Sequence, residues 1–383
     1  MLLISCAQVG VGSGDPGCIR TSLLEDLDWA YLIETAQRHA VLPLLYQGLV
    51  TTCPERVPTA ALVQLQDRFQ DNARRNFVLS GELLRCLDVL GAHGIPAVPY
   101  RGPVLAASLY GDLALRQFVD LDVLLHKKDV LRARDLLMSL GYRPEFKLNS
   151  AQEAAYLRAQ SEHKVMRDEG AVIVELHWQI AERYFSFPLD PASLSGRLEP
   201  ISLAGREVWT FSPEDLLLIL CVHGTKHLWE RLAWMCDVGK LISTSEALDW
   251  HWVVEQAKAL RSERMLLLGL CLAEELLGSS LPDAIRQKMR GDPSVASLAA
   301  QVRAWLWCDA TERPGNLDRC RFHLRARERI GDRLRYAWRL AVTTTPGDWA
   351  AVRLPSPLFP LYYLLRPVRL LGEYGPELVR RLT

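Results

Sequence analysis

The chain has 383 residues, with 45 basic against 45 acidic side chains; 49% of it is hydrophobic and 23% charged. That length suits two or three domains with a sizeable core, and the composition excludes disordered, collagen-like and disulfide-miniprotein classes. Zero formal net charge removes any bulk electrostatic case for nucleic-acid binding and leaves only local basic patches.

Residues 1–20 are Gly-rich and aperiodic, which predicts a loose or locally pinned start. The N-terminus has no basic region ahead of its short apolar run, so it does not read as a signal peptide. From Ser22 to Gln70 the apolar residues recur at helical spacing and predict a helical cap, followed by a long amphipathic helix over Ala60–Ala92. The texture then changes. Ile95–Tyr100 is short and extended, Arg101–Gly102–Pro103 is a turn, and Val104–Tyr110 is a short helix. Gln117–Leu125 alternates and predicts a strand, and Lys128–Leu140 predicts a helix closed by Gly141. Two apolar runs around Asp168–Glu169–Gly170 predict a hairpin. Ser212–Pro213–Glu214–Asp215 is a helix start, with a capping hydroxyl, proline at the first position and acids in the first turn. Helical periodicity then continues to about Trp338. The expected organisation is a helical cap over 1–80, an α/β (α+β) core with a mixed sheet over 81–200, and a helical part over 201–383.

Nine cysteines stand singly with no CxxC spacing, which argues against a zinc cluster or disulfide framework and for a reducing, cytoplasmic setting. The longest apolar runs, Leu216–Val222 and Pro357–Leu365, fall short of the roughly 18 residues a spanning helix needs.

The chemistry concentrates on the Tyr100–Leu125 segment. Asp120 and Asp122 stand two apart on the expected strand, so their carboxylates share a face among Val119, Leu121, Val123 and Leu124. Like charges that close on an apolar strand need a cation between them, and hard oxygen ligands suit Mg²⁺. On the later strand Val172–Trp178, Glu175 and His177 share a face, and Glu175 becomes a third carboxylate of the same site if the two strands are neighbours. His223, Lys226 and His227 stand at i, i+3 and i+4 on one helix face. The sequence HGTKH is not HExxH, which disfavours a zinc protease and favours a substrate- or phosphate-facing patch. Plainer roles stand beside these. Glu175 also fits a solvent-facing edge strand and His177 a satisfied core histidine, while Trp229 and Trp234 read as packing residues.

The segment resembles the active-site signature of the polymerase-β-like nucleotidyltransferase superfamily, and more narrowly a bacterial family of uncharacterised nucleotidyltransferases. The similarity rests on Arg101–Gly102, Leu105–Ala106, Leu109–Tyr110, Arg116 and Asp120–Leu121–Asp122, then Glu175–Leu176–His177–Trp178. It extends to His223–Gly224–Thr225–Lys226–His227–Leu228–Trp229 with Asp237, and to Leu354–Pro355 and Tyr362–Tyr363–Leu364–Leu365–Arg366–Pro367. There are departures. The family's Lys is Arg101 here, Pro103 supplies no N–H where the superfamily has a second Gly or Ser, and the third acid is Glu175 where many relatives have Asp. Phosphate grip then falls on Arg101, Arg116 and the start of the Val104 helix.

The resemblance implies transfer of a nucleoside monophosphate from an NTP such as ATP to an acceptor hydroxyl or phosphate, with release of pyrophosphate. It implies two Mg²⁺ ions (Mn²⁺ being the substitute) on Asp120, Asp122 and Glu175. Arg101, Gly102, Arg116, His177, His223, Lys226 and His227 are implied to hold substrate or phosphate. The acceptor stays open between a small molecule, a peptide or protein, and an RNA end. Two other readings remain: transfer of a different phosphorylated group such as a sugar phosphate, and a non-catalytic nucleotide-binding protein. Residues 301–383 hold fifteen arginines against eight acids. The expectation there is a solvated helix surface ahead of an RNA-binding or partner-binding face. For Pro357–Leu370, core packing is expected ahead of a membrane-surface role.

Overall fold

Five short strands form the sheet that carries the candidate site: β1 (Ala97–Pro99), β2 (Leu121–Leu125), β3 (Arg143–Pro144), β4 (Glu162–Arg167) and β5 (Val172–His177). The computed structural model describes residues 1–182, 185, 187, 189, 195–245, 247–308, 313–352, 354, 358 and 361–380. The spatial order is β1-β2-β5-β4-β3, with β2 and β5 parallel and every other pair antiparallel. This is the mixed α/β sheet expected from the sequence. All five residues of β2 are buried, because elements cover both faces of this inner strand. The hairpin at Asp168–Gly170 forms as expected, with Asp168 and Glu169 both in the left-handed region.

The helix Thr59–Ala92 lies against the sheet and buries Leu79, Leu83, Cys86 and Leu90 at helical spacing. Its other task is to hold the segment that leads into β2. Asn76 Nδ2 donates to the carbonyls of Leu113 (2.6 Å) and Arg116 (2.7 Å), and Asn72 Nδ2 donates to that of Ala114 (2.9 Å). The strand read from Gln117 onward begins only at Leu121: Gln117–Asp120 is an irregular lead-in that follows the stretch pinned at Leu113–Arg116.

The N-terminus also departs from expectation. Leu2–Val11 is a helix, and Pro16–Ser22, capped by Asp15, is another. Leu2, Leu3, Cys6, Ala7 and Val11 are buried in the larger hydrophobic cluster, packed on the helices Leu42–Thr52, Leu232–Thr244 and Glu263–Leu277. A helix enclosed by several partners needs no polar face, so it carries little amphipathic period to detect.

A second hairpin, β6 (Leu198–Leu203) and β7 (Arg206–Phe211), turns at Ala204–Gly205, both at positive φ. It docks on β1 through Thr210 Oγ1, which donates to the Pro99 carbonyl at 2.8 Å. Next comes the helix Pro213–Lys226. Ser212 caps it by accepting from the Asp215 N–H at 3.4 Å, as the sequence signal predicts.

Several arginines of the C-terminal region are structural and do not make up a solvated face. Arg327 is buried and donates to the carbonyl of Phe185 at 2.5 Å, and Arg366 is buried against Asp348 at 2.6 Å. Asp309 and Glu312 lie outside the described residues, as do Pro355, Pro357, Phe359 and Pro360 of the expected apolar stretch. Within the helix Tyr362–Arg380, Tyr362 and Arg366 face inward, whereas Leu364 and Val368 are exposed. Among the described residues no helix is long and apolar enough to cross a membrane.

His323 ties this region to the cleft. Its Nε2 donates to the Lys226 carbonyl and its Nδ1 faces the Tyr336 hydroxyl, each at 3.0 Å, an arrangement that the neutral ring satisfies with Nδ1 accepting. Burial, then the charge of Arg327, pushes its pKa down to about 3. An unfolded imidazole titrates near 6.5 and takes up the proton that the folded one refuses, so its contribution is intact above about pH 6.5 and is lost as pH falls towards the folded value. Unfolding free energy measured in urea is expected to drop between pH 7 and pH 5. His323→Gln should reduce that slope by up to about 1.4 kcal/mol per pH unit. An unchanged slope in the variant would refute the neutral-ring assignment.

Candidate active site

The parallel pairing of β2 with β5 sets Asp122 directly beside Glu175. His177, two residues on, shares the face of Glu175. His177 Nε2 lies 2.9 Å from Asp122 Oδ1 and 3.4 Å from Glu175 Oε2. All three are buried, yet each lines a cleft of about 470 Å³. Asp120 lines the same cleft from the lead-in segment and is half-buried, so its position ahead of the strand still leaves it with the other acids.

Cations close the site from two sides. Arg101 follows β1, and its Nη2 donates to Asp122, while its Nη1 lies 2.7 Å from His223 Nε2. Gly102 makes this approach possible. Its φ of +61° favours glycine, and a Cβ there would stand 3.0 Å from the Asp120 carbonyl oxygen. From β4, Lys164 Nζ sits 2.8 Å from Glu175 Oε1, and Glu162 Oε2 stands 3.5 Å from His177 Nδ1.

These contacts set the protonation states. Burial opposes charge on Asp122, but the Arg101 guanidinium and the hydrogen bond from His177 outweigh it and hold the carboxyl well below its usual range. Burial likewise opposes charge on Glu175, and the bonds from His177 and Lys164 hold it at about 2. Burial would lower the His177 pKa, yet Asp122 and Glu175 raise it to about 9. Asp120 goes the other way, pushed up to about 6 by burial and then by the negative charge of Asp122. His223 is driven well below its ordinary value by burial and then by Arg101, so its neutral ring accepts from the guanidinium.

The donor set fits a divalent cation. One ligand atom each of Asp122, Glu175 and His177 lies within 4.8 Å of the others, and His177 Nε2 is the ring nitrogen that faces both carboxylates. Two hard carboxylates, with a third on the same cleft wall, are ligand types for such an ion, and the imidazole of His177 joins them only by giving up the proton it holds between Asp122 and Glu175.

The remaining candidates divide. His223, Lys226 and His227 all line the cleft, His223 and Lys226 from the last turn of Pro213–Lys226 and His227 from just beyond it. The two histidine rings meet at a 50° tilt with centroids 4.6 Å apart, and Trp234 stands edge-on to His223 at 5.2 Å. Lys226 Nζ pairs with Glu182 Oε1 at 2.9 Å. Arg116 lines the cleft floor but is committed elsewhere: Nε and Nη2 grip both oxygens of Asp237 at 2.9 and 2.8 Å, and the Tyr110 hydroxyl adds a bond at 3.1 Å.

The sequence signature of the family described as "Uncharacterised nucleotidyltransferase" matches residues 25–278, more than half of the chain and every strand-borne residue of this cleft. The chain belongs to that family. Among curated proteins none matches it. Solved structures similar to it include the following two. One is the solution structure of the antibiotic-resistance factor ANT(2'')-Ia, with 14% identity over 60% of this chain and 99% of that one, at a TM-score of 0.29. The other is an antigenic nucleotidyltransferase-like protein from Paracoccidioides brasiliensis, with 17% identity over 62% of this chain and 96% of that one, at a TM-score of 0.33.

In this nucleotidyltransferase the His-Gly-x-Lys-His-x-Trp block has a mechanical reason. After the helix ends at Lys226, Leu228 and Trp229 take positive φ, and the Trp229 N–H donates to the Gly224 carbonyl at 2.7 Å. The turn folds the indole back onto the helix, where a Cβ at Gly224 would lie 2.6 Å from it and one at Gly269 3.0 Å. Trp229 is fully buried, so the block holds Lys226 and His227 at the cleft edge by anchoring the chain beyond them. Sequence reasoning missed Glu162, Lys164, Arg319 and His323, which also line the cleft of the nucleotidyltransferase. Only the i, i+2 spacing of Glu162 and Lys164 on a strand opposite Glu175 offered a signal.

Proposed function

We propose that this nucleotidyltransferase transfers a nucleoside monophosphate from an NTP to an acceptor hydroxyl or phosphate and releases pyrophosphate, with Mg²⁺ held by Asp120, Asp122 and Glu175 and assisted by His177. The observation that carries the reading is the pairing of Asp122 with Glu175 on adjacent parallel strands at the floor of an accessible cleft. Bound there, two Mg²⁺ ions, or Mn²⁺ in their place, would supply Lewis acidity that offsets phosphate charge.

The chain's own groups do the rest. The acceptor oxygen forms a bond to the α-phosphorus, the α–β bridging P–O bond breaks, and pyrophosphate leaves with the electron pair. The acceptor's proton passes to a carboxylate of the cleft floor. Arg101 and Lys226 stand where they can exchange carboxylate partners for phosphate oxygens, the guanidinium offering a planar fork. Arg116, tied to Asp237, braces the segment that carries Asp120.

The test is titration of the full chain with each of the four NTPs, with and without Mg²⁺, followed by pyrophosphate release in the presence of a small-molecule cell extract. Mg²⁺-dependent binding of at least one NTP, and Mg²⁺-dependent pyrophosphate release, are expected. Binding of a nucleotide sugar in preference to every NTP would overturn the reading, as would NTP binding indifferent to Mg²⁺.

A further inference from the structure

The cleft opens at one end into a second groove of about 390 Å³, and the two share the strip Gln117–Phe118–Val119 together with Glu230 and Arg231. Three guanidiniums from distant parts of the chain meet in this groove. Arg38 ends the helix Trp29–Arg38, Arg231 precedes the helix Leu232–Thr244, and Arg313 precedes the helix Asn316–Arg325. Among the described residues none of the three forms an ion pair, whereas Arg101, Arg116, Lys164 and Lys226 of the neighbouring cleft are each paired with an acid. Among the described residues the single acid in the groove wall is Glu230. Nη2 of Arg38 is buried and has no hydrogen-bond partner.

His39, at the base of the groove, senses the same charge. Burial, then Arg38, Arg313 and Arg231, pushes its pKa down to about 4. Like charges gathered around a partly desolvated groove repel one another, and an unpartnered buried guanidinium nitrogen is costly. A bound phosphate dianion relieves the repulsion, since guanidinium forks match its oxygens.

We propose that this groove holds the phosphate of the acceptor, so that the second substrate is a phosphorylated molecule whose nucleophilic oxygen reaches Asp120 along the Gln117–Val119 strip. The assignment rests on the nucleotidyl-transfer reading above. The donor's phosphates have another place, beside Arg101, Gly102 and Asp122, none of which lines the groove.

The experiment is calorimetric titration of the full chain with glycerol 3-phosphate, as a simple phosphomonoester, and separately with each Mg²⁺-bound NTP. It compares wild type, the pair Arg38→Gln/Arg313→Gln, and the exposed single variant Arg231→Gln, with circular dichroism to confirm folding. Glycerol 3-phosphate is expected to bind the wild type, to weaken about ten-fold or more in the pair and by less in Arg231→Gln, while NTP affinity stays within about two-fold. Equal phosphomonoester affinity in wild type and variants, or no binding to wild type, would overturn the groove. A loss that falls on the NTP instead would assign the arginines to the donor and overturn the acceptor assignment. Failure of every NTP to bind the wild type, with glycerol 3-phosphate still bound, would overturn the nucleotidyl-transfer reading and the acceptor role with it.

Discussion

Asp122→Asn is expected to lower the rate of nucleotidyl transfer by about 10³-fold, which corresponds to about 4 kcal/mol of transition-state stabilisation. Asp122 is the carboxylate on which the site converges: it accepts from Arg101 and from His177 and pairs in register with Glu175. The amide keeps the shape and one acceptor oxygen but removes the charge that a divalent ion and the His177 imidazolium both need. The change reaches the fold as well, because Arg101 and His177 keep their positive charges in a buried setting without their main counter-ion. Rates must therefore be compared with the melting temperature of each variant. The decisive readout is the Mg²⁺ concentration dependence of NTP binding, which should flatten in Asp122→Asn even when the protein is fully folded. Activity within about ten-fold of wild type would remove Asp122 from the reaction.

The largest stability effect is expected at Asp237→Ala, a loss of about 3–5 kcal/mol in urea unfolding. The side chains of Arg116 and Asp237 are 9% and 1% exposed, and two parallel N–H···O bonds join them. Taking away the acid leaves a buried guanidinium with two orphaned donors and removes the partner of the Tyr110 hydroxyl. Arg116→Leu together with Asp237→Leu should be less damaging than either polar deletion alone, because no unpaired charge then remains. A loss below about 1 kcal/mol for Asp237→Ala would mean that solvent reaches the pair. The catalytic consequence is indirect. Arg116 shares its segment with Asp120, so loosening the pair should weaken NTP binding while leaving the Mg²⁺ dependence of the residual binding intact.

Much of the local structure was legible in the sequence because local geometry encodes it. Ser212 with Pro213 starts a helix wherever it stands. The i, i+2 spacing of Glu175 and His177 puts both on one side of any strand. The turn at Asp168–Gly170 closes a hairpin between two apolar runs. The block from His223 to Trp229 announced a cleft-edge patch, although the function of its glycine, room for a returning indole, appears only when Trp229 is seen folded back on Gly224. The N-terminal helix escaped because much of its burial comes from two helices more than 200 residues along the chain, Leu232–Thr244 and Glu263–Leu277.

The sequence by itself determined which acids, cations and turns this protein has and which of them share a strand or a helix face. The tertiary structure alone decided which charges meet. Arg101 reaches His223 across 122 residues and Arg116 reaches Asp237 across 121, while Glu175 stands beside Asp122 only because β5 inserts between β2 and β4. Side-chain periodicity is a property of a few consecutive residues. The pairing and burial of a charge depend on distance in space and on exclusion of water, and both arise only once the segments have packed together.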